Sequence, residues 1–125
     1  MTDHLTYCEI LSIHADQIER YGGRPGMRGP RHLEAALFRP KSGHYLDVIE
    51  EAAALWESLA QHHPFVDANE RTAFAATYAF LAINGVRFTA SAEEVYAFIA
   101  DLYPTNGFNF EVLLPWLRGA SAPMP

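Results

Sequence analysis

Apolar residues along this chain recur at spacings of three and four, with few stretches of strict alternation, and that spacing predicts helices. Between about Tyr7 and Arg20, Ile10, Leu11, Ile13 and Ile18 gather on one side of a helix, and Tyr21-Gly22-Gly23-Arg24-Pro25-Gly26 breaks it, with Gly22 or Gly23 as a C-terminal cap. Pro30 opens a second, short helix with Leu33, Ala36 and Leu37 on its inner face, and Arg39-Pro40 closes it. Lys41 to Leu46 is a polar, Gly-containing connector, a short hairpin or flap. Asp47 is an N-cap for a third helix running to about His62, with Val48, Ile49, Ala52, Leu55, Trp56 and Leu59 as a broad apolar stripe. A fourth helix is predicted over Thr72 to Asn84, with Phe74, Thr77, Phe80, Leu81 and Ile83 on or beside its buried side and Asn84-Gly85 as its stop. Val86 to Ala90 is extended or turn-like. Ser91 and Glu94 form a capping box for a fifth helix through Tyr103, with Val95, Phe98, Ile99 and Leu102 inward. A sixth helical segment, Asn109 to Arg118, contains Pro115, which is expected to kink or restart it. The expected fold class is all-α, a compact six-helix domain with a short flap before the third helix. One domain covers residues 1–125, its core lies at about 5–118, and the tail 119–125 is expected to fray.

Composition narrows the function classes. The chain has 125 residues, half of them apolar and 13% aromatic, which is enough to bury a core without disulfides or a structural metal. Its formal charge is −6 and no basic run stands out, so a surface that tracks nucleic-acid phosphates is not expected. The single cysteine, Cys8, allows no internal disulfide. The first residues, Met-Thr-Asp-His-Leu, carry no positive segment before an apolar run, and no stretch reaches 18 apolar residues, so neither a signal peptide nor a membrane span is expected. A cytoplasmic protein is the expectation.

The chemistry concentrates in His63-Pro64-Phe65-Val66-Asp67-Ala68-Asn69-Glu70-Arg71, directly ahead of the fourth helix. Unpaired N–H groups and the positive end of the dipole at a helix N-terminus favour a phosphate. His63 is of the residue type that takes a proton from an attacking hydroxyl near neutral pH, though a histidine at a helix end also serves to cap carbonyls. Phe65 is an apolar anchor for the loop. Asp67 suits Mg²⁺ as a hard oxygen ligand, or equally the N-cap of the next helix. Ala68 is small enough for a phosphate to approach the backbone. Asn69 offers an amide to a phosphate oxygen or to a cap. Arg71 offers a bidentate fork to phosphate, or a surface ion pair with Glu70 or Glu50.

This nine-residue segment resembles the signature of Fic-domain proteins, H-P-F-x-(D/E)-(G/A)-N-(G/K)-R, and is most similar to the death-on-curing (Doc) branch. Tyr21-Gly22-Gly23-Arg24-Pro25-Gly26-Met27-Arg28, Leu33-Glu34-Ala35-Ala36, Arg39-Pro40, Thr72-Ala73 and Phe80-Leu81-Ala82-Ile83-Asn84-Gly85 carry the same resemblance, which spans roughly residues 5–118. It implies a compact α-helical fold and a motif loop that binds a nucleoside triphosphate, ATP in most such proteins, together with Mg²⁺. Most Fic proteins transfer AMP, whereas the Doc branch moves the γ-phosphate to a threonine of elongation factor Tu and arrests translation. By position, the resemblance makes His63 the general base, Asp67 the metal ligand, and Asn69 with Arg71 the phosphate binders, with Ala68 and Glu70 beside the nucleotide. It makes residues 41–46 the flap that positions the target. It also implies a partner antitoxin whose C-terminal helix covers the active-site groove. The self-inhibitory helix motif of other Fic proteins, S/T-x-x-x-E-G/N, is not found; Thr89 to Glu93 is the nearest match, and Glu94 follows it.

Two positions depart from the pattern. Glu70 stands where AMP-transferring Fic proteins usually carry Gly and Doc carries Lys, and Ala75 stands where relatives of the branch can carry a polar residue. A carboxylate about 4 Å from a phosphate charge, at an effective dielectric near 20, is repelled by roughly 4 kcal/mol before screening. Three functions follow: a Doc-like phosphotransferase toxin, a Fic-type nucleotidyl (AMP) transferase, and a catalytically silent binding module.

Overall fold

The computed structural model describes residues 2–125. It contains α1 (Tyr7–Tyr21), α2 (Pro30–Phe38), α3 (Val48–His62), α4 (Asn69–Ile83), β1 (Val86–Phe88), α5 (Ala92–Leu102), α6 (Phe110–Gly119) and β2 (Ser121–Pro123). Short 3₁₀ turns, Arg39–Lys41 and Tyr103–Thr105, extend α2 and α5. The fold is all-α with one small two-stranded sheet, in line with the helical spacing of the apolar residues.

α3 is the central helix and packs against α2, α4 and α6. Its sequence explains why. Ala52, Ala53, Ala54 and Ala60 are fully buried, and such small side chains let neighbouring helices approach on several sides, while Leu55, Trp56 and Leu59 fill the gaps between them. Trp56 presents its edge to Phe74 of α4, Phe98 of α5 and Trp116 of α6, at centroid distances of 5.5, 6.1 and 6.0 Å. Phe98 stacks on Trp116 at 4.4 Å and so ties α5 to α6. Caps act where local chemistry predicts them. Asp47 accepts from the Glu50 N–H, Ser91 and Glu94 cap α5 reciprocally, and Gly22 ends α1 at a φ of 82°.

The structure corrects several expectations. α4 begins at Asn69, three residues before Thr72, so Glu70 and Arg71 belong to a helical first turn. The tail does not fray at its start. Ser121–Pro123 pairs antiparallel with β1 in the register Val86↔Pro123, because Ala120 caps α6 and the Thr89 N–H donates to the Ala120 carbonyl, turning the chain back. α6 passes through Pro115 as one helix. Pro115 and Glu111 are both exposed, so water can take the carbonyl that proline leaves without a donor. Ile83 is exposed, and the connector at 41–46 forms no hairpin. That connector is instead held by Arg39, which pairs with Glu57 and donates Nε–H to the Tyr45 hydroxyl at 2.9 Å.

Candidate active site

Two left-handed residues frame the motif loop. His63 ends α3 with φ 48° and ψ 58°, and Ala68 precedes α4 with φ 62° and ψ 30°. Such backbone costs an L-residue roughly 1–2 kcal/mol and persists only where surrounding contacts hold it. The contacts are specific. Phe65, 1% exposed, is the anchor that its sequence suggests. Its backbone is bonded twice by Asn69: the Phe65 N–H donates to Oδ1 and Nδ2–H donates to the Phe65 carbonyl, both at 3.0 Å. A strap from Gly22 to Arg28 runs alongside. The Val66 N–H donates to the Gly26 carbonyl, the Arg28 N–H donates to the Pro64 carbonyl, and Met27 and Phe65 form a β-bridge.

Asn69 therefore spends its carbonyl oxygen and one amide hydrogen on the loop itself, in a position only 6% exposed. Losing two buried hydrogen bonds of this kind costs about 2–3 kcal/mol. Asn69→Ala is accordingly expected to lower the unfolding free energy by about that amount in urea titrations.

No side chain caps α4, and among the described residues the first-turn N–H groups of Asn69, Glu70 and Arg71 have no intramolecular acceptor. His63 and Asp67 both lie in the loop that leads into these groups. Neither imidazole nitrogen of His63 has a protein partner among the described residues; only its carbonyl is engaged, by Arg28 Nη1 at 3.4 Å. His62, the neighbouring imidazole, is exposed in the last turn of α3. Partial desolvation, helped by His32 and Arg39, holds it below its ordinary pKa.

Asp67 does not take the N-cap position. Its Oδ2 accepts the Arg24 N–H at 3.0 Å and its Oδ1 accepts the Ala68 N–H at 2.8 Å. These two bonds, the Arg24 one foremost and aided by the charges of Arg71 and Arg24, hold the carboxyl below the ordinary range, so it is ionised at neutral pH. A depressed folded-state pKa adds stability that is complete above the unfolded value near 3.9 and disappears as pH falls through the folded value. The stability difference between the wild type and Asp67→Asn is therefore expected to hold steady from pH 7 to about pH 5 and to narrow as pH falls below about 4, as read by urea unfolding across that range.

Arg71 makes neither expected ion pair. Its Nη2 donates to the Gly22 carbonyl at 2.8 Å and its Nη1 to the Gln17 carbonyl at 3.5 Å. Glu50 pairs with Arg118 instead. Gly23 is obligatory here, with φ +120°: a Cβ would lie 2.8 Å from Asp67 Oδ2 and 3.1 Å from Arg71 Nη2. Glu70 is half-buried and has no hydrogen-bond or ion-pair partner among the described residues. With Arg71 it lines a groove of about 990 Å³ between α1, α4 and α5, walled also by Phe74, Tyr78, Tyr96, Ile99 and Tyr103.

No group of three or more metal-ligating side chains occurs among the described residues. Asp67 alone fits a hard cation, since each of its oxygens keeps a lone pair beyond the N–H it accepts. A Mg²⁺ held by one carboxylate takes its other ligands from phosphate oxygens and water, and this donor set suits that mode.

One residue had no place in the sequence reading. His14 of α1 is 5% exposed, stacks flat on Phe65 at 3.8 Å, and donates Nε2–H to the Asp67 carbonyl at 2.9 Å. The only trace in the sequence is its place four residues after Ile10, on the buried face of α1.

A helical domain whose central loop presents histidine, carboxylate and an open helix N-terminus in this order defines a class, and residues 4–81 match the Fic/DOC family. The chain belongs to that family. It is 36% identical over 94 residues to the protein kinase Doc of Escherichia phage P1, covering 72% of this chain and 75% of that protein. It is 41% identical over 95 residues to the toxin Doc of Mycolicibacterium smegmatis, covering 72% of this chain and 71% of that one.

Proposed function

We propose that the chain is a Doc-like toxin of a toxin–antitoxin module that transfers phosphate from a nucleoside triphosphate, ATP by resemblance, to a hydroxyl of a translation protein. The observation that carries this reading is the uncapped N-terminus of α4, whose three free N–H groups follow a loop that holds a histidine without side-chain partners and an ionised carboxylate. The kinase named among the relatives supports γ-phosphate transfer over other chemistry.

In this scheme the α4 N–H groups, the remaining amide hydrogen of Asn69 and the Arg71 guanidinium bind phosphate oxygens, and Ala68 leaves room for them. Mg²⁺ held at Asp67, when bound, neutralises charge on the phosphate oxygens. His63 accepts the proton of the target hydroxyl. The hydroxyl oxygen then forms a bond to the γ-phosphorus as the bond from that phosphorus to the β,γ-bridging oxygen breaks, and a nucleoside diphosphate leaves. The segment at 41–46, anchored through Arg39 and Tyr45, positions the target. By resemblance the target is elongation factor Tu and the compartment is the cytoplasm. No described helix is long and apolar enough to cross a membrane.

The groove beside Glu70 and Arg71 is the place for the antitoxin. Its aromatic and aliphatic walls suit the apolar face of a partner helix. The nucleotidyl-transfer alternative uses the same His63 and differs only in which phosphorus faces it. ATP labelled separately at the α and γ positions separates the two: γ-label on the target protein is expected, and α-label retained there would overturn the kinase reading. A silent binding module, the reading that Glu70 motivates, transfers neither label.

A further inference from the structure

We propose that His14 is a positioning residue for this site, locking the Asp67–Ala68 peptide from a helix more than fifty residues away in sequence. The inference rests on the phosphate-transfer reading above and adds to it a group outside the motif. The peptide is planar, so its carbonyl and its N–H turn together. His14 Nε2–H holds the carbonyl at 2.9 Å, and Asp67 Oδ1 accepts the N–H of the same peptide at 2.8 Å. The carboxylate is thereby referenced to a plane clamped at both ends. Ala68, which follows at φ 62°, is a residue type that would leave the left-handed region if that clamp were released. Its departure would re-aim the Asp67 carboxylate and the first N–H groups of α4 together. The stack on Phe65, at an interplanar angle of 5°, fixes where the donor sits, and Asn69 fixes Phe65 in turn. A buried histidine used only for packing needs none of this alignment; a phenylalanine would fill the same space.

That difference supplies the test. His14→Phe keeps the volume and the aromatic stack but removes the donor, whereas His14→Gln restores an N–H of similar reach. Two readouts decide: Mn²⁺–ATP affinity by electron paramagnetic resonance, and hydrogen exchange at the Ala68 amide with global exchange as the reference. His14→Phe is expected to weaken Mn²⁺–ATP binding by about tenfold and to speed exchange at Ala68 by about tenfold beyond any change in global exchange, as loss of one buried hydrogen bond at that peptide implies. His14→Gln is expected to return both to within about threefold of wild type. Wild-type affinity and wild-type Ala68 exchange in His14→Phe would overturn the proposal. Failure of the transfer reading is separate. Should the wild type bind no Mn²⁺–ATP, that reading falls, and Ala68 exchange alone decides the role of His14.

Discussion

His63→Ala is expected to slow phosphate transfer to the target protein by about 10²–10⁴-fold, the usual contribution of a positioned general base, and to abolish growth arrest when the chain is expressed. The imidazole makes no hydrogen bond or ion pair that would hold the loop in place, among the described residues. Its ring nitrogens are unpartnered among the described residues, and the hydrogen bond the residue does make runs through its carbonyl, which alanine retains. Activity and folding are therefore separable at this position. The thermal unfolding midpoint is expected to stay close to that of the wild type while γ-label transfer collapses. Growth arrest that persists in His63→Ala, with the variant folded, would mean that toxicity comes from binding and not from transfer.

Glu70→Lys is expected to move activity and stability in opposite directions. Glu70 lies in the first turn of α4, beside the N–H groups proposed to hold phosphate, and no cation among the described residues neutralises it. The full repulsion of a close like-charge pair, roughly 4 kcal/mol, is reduced by solvent at a half-buried position to about 1–2 kcal/mol, and that residue of repulsion corresponds to about tenfold in rate. Lysine removes the repulsion and adds attraction, so kcat/KM for γ-transfer is expected to rise about tenfold. The same change places a cation at the positive end of the α4 dipole and is expected to lower the unfolding free energy by about 0.3–1 kcal/mol. Steady-state kinetics and urea unfolding on one preparation check both halves. An unchanged rate in a folded variant would show that the Glu70 carboxylate points away from the phosphates.

Most of the helical framework was legible because the forces that start and stop helices act between near neighbours. Asp47, the Ser91–Glu94 pair, Pro30 and Gly22 act within four residues of where they stand. The apolar stripe of α3 needs only its own spacing to be recognised. The exceptions are instructive. α4 extends back to Asn69 because the Asn69 side chain bonds the backbone of Phe65, four residues earlier, a use of asparagine that spacing does not reveal. The tail pairs with β1 because two segments some 35 residues apart happen to meet, and neither is a persuasive strand alone.

The candidate site divides along the same line. The motif by itself determined the chemistry on offer, a histidine, a carboxylate, an amide and a guanidinium before a helix, since residue type and order are properties of the chain. Only the tertiary structure decided how each is employed. It assigned the Arg71 guanidinium to the Gly22 carbonyl, both Asp67 oxygens to backbone N–H groups, and the Asp67 carbonyl to His14. It also left the His63 imidazole and the first N–H groups of α4 without partners among the described residues. The physical reason is that hydrogen bonds are short and directional, so they are settled by which groups packing brings within about 3 Å. Here that packing joins α1 and the Gly22–Arg28 strap to a loop some forty to fifty residues further along the chain.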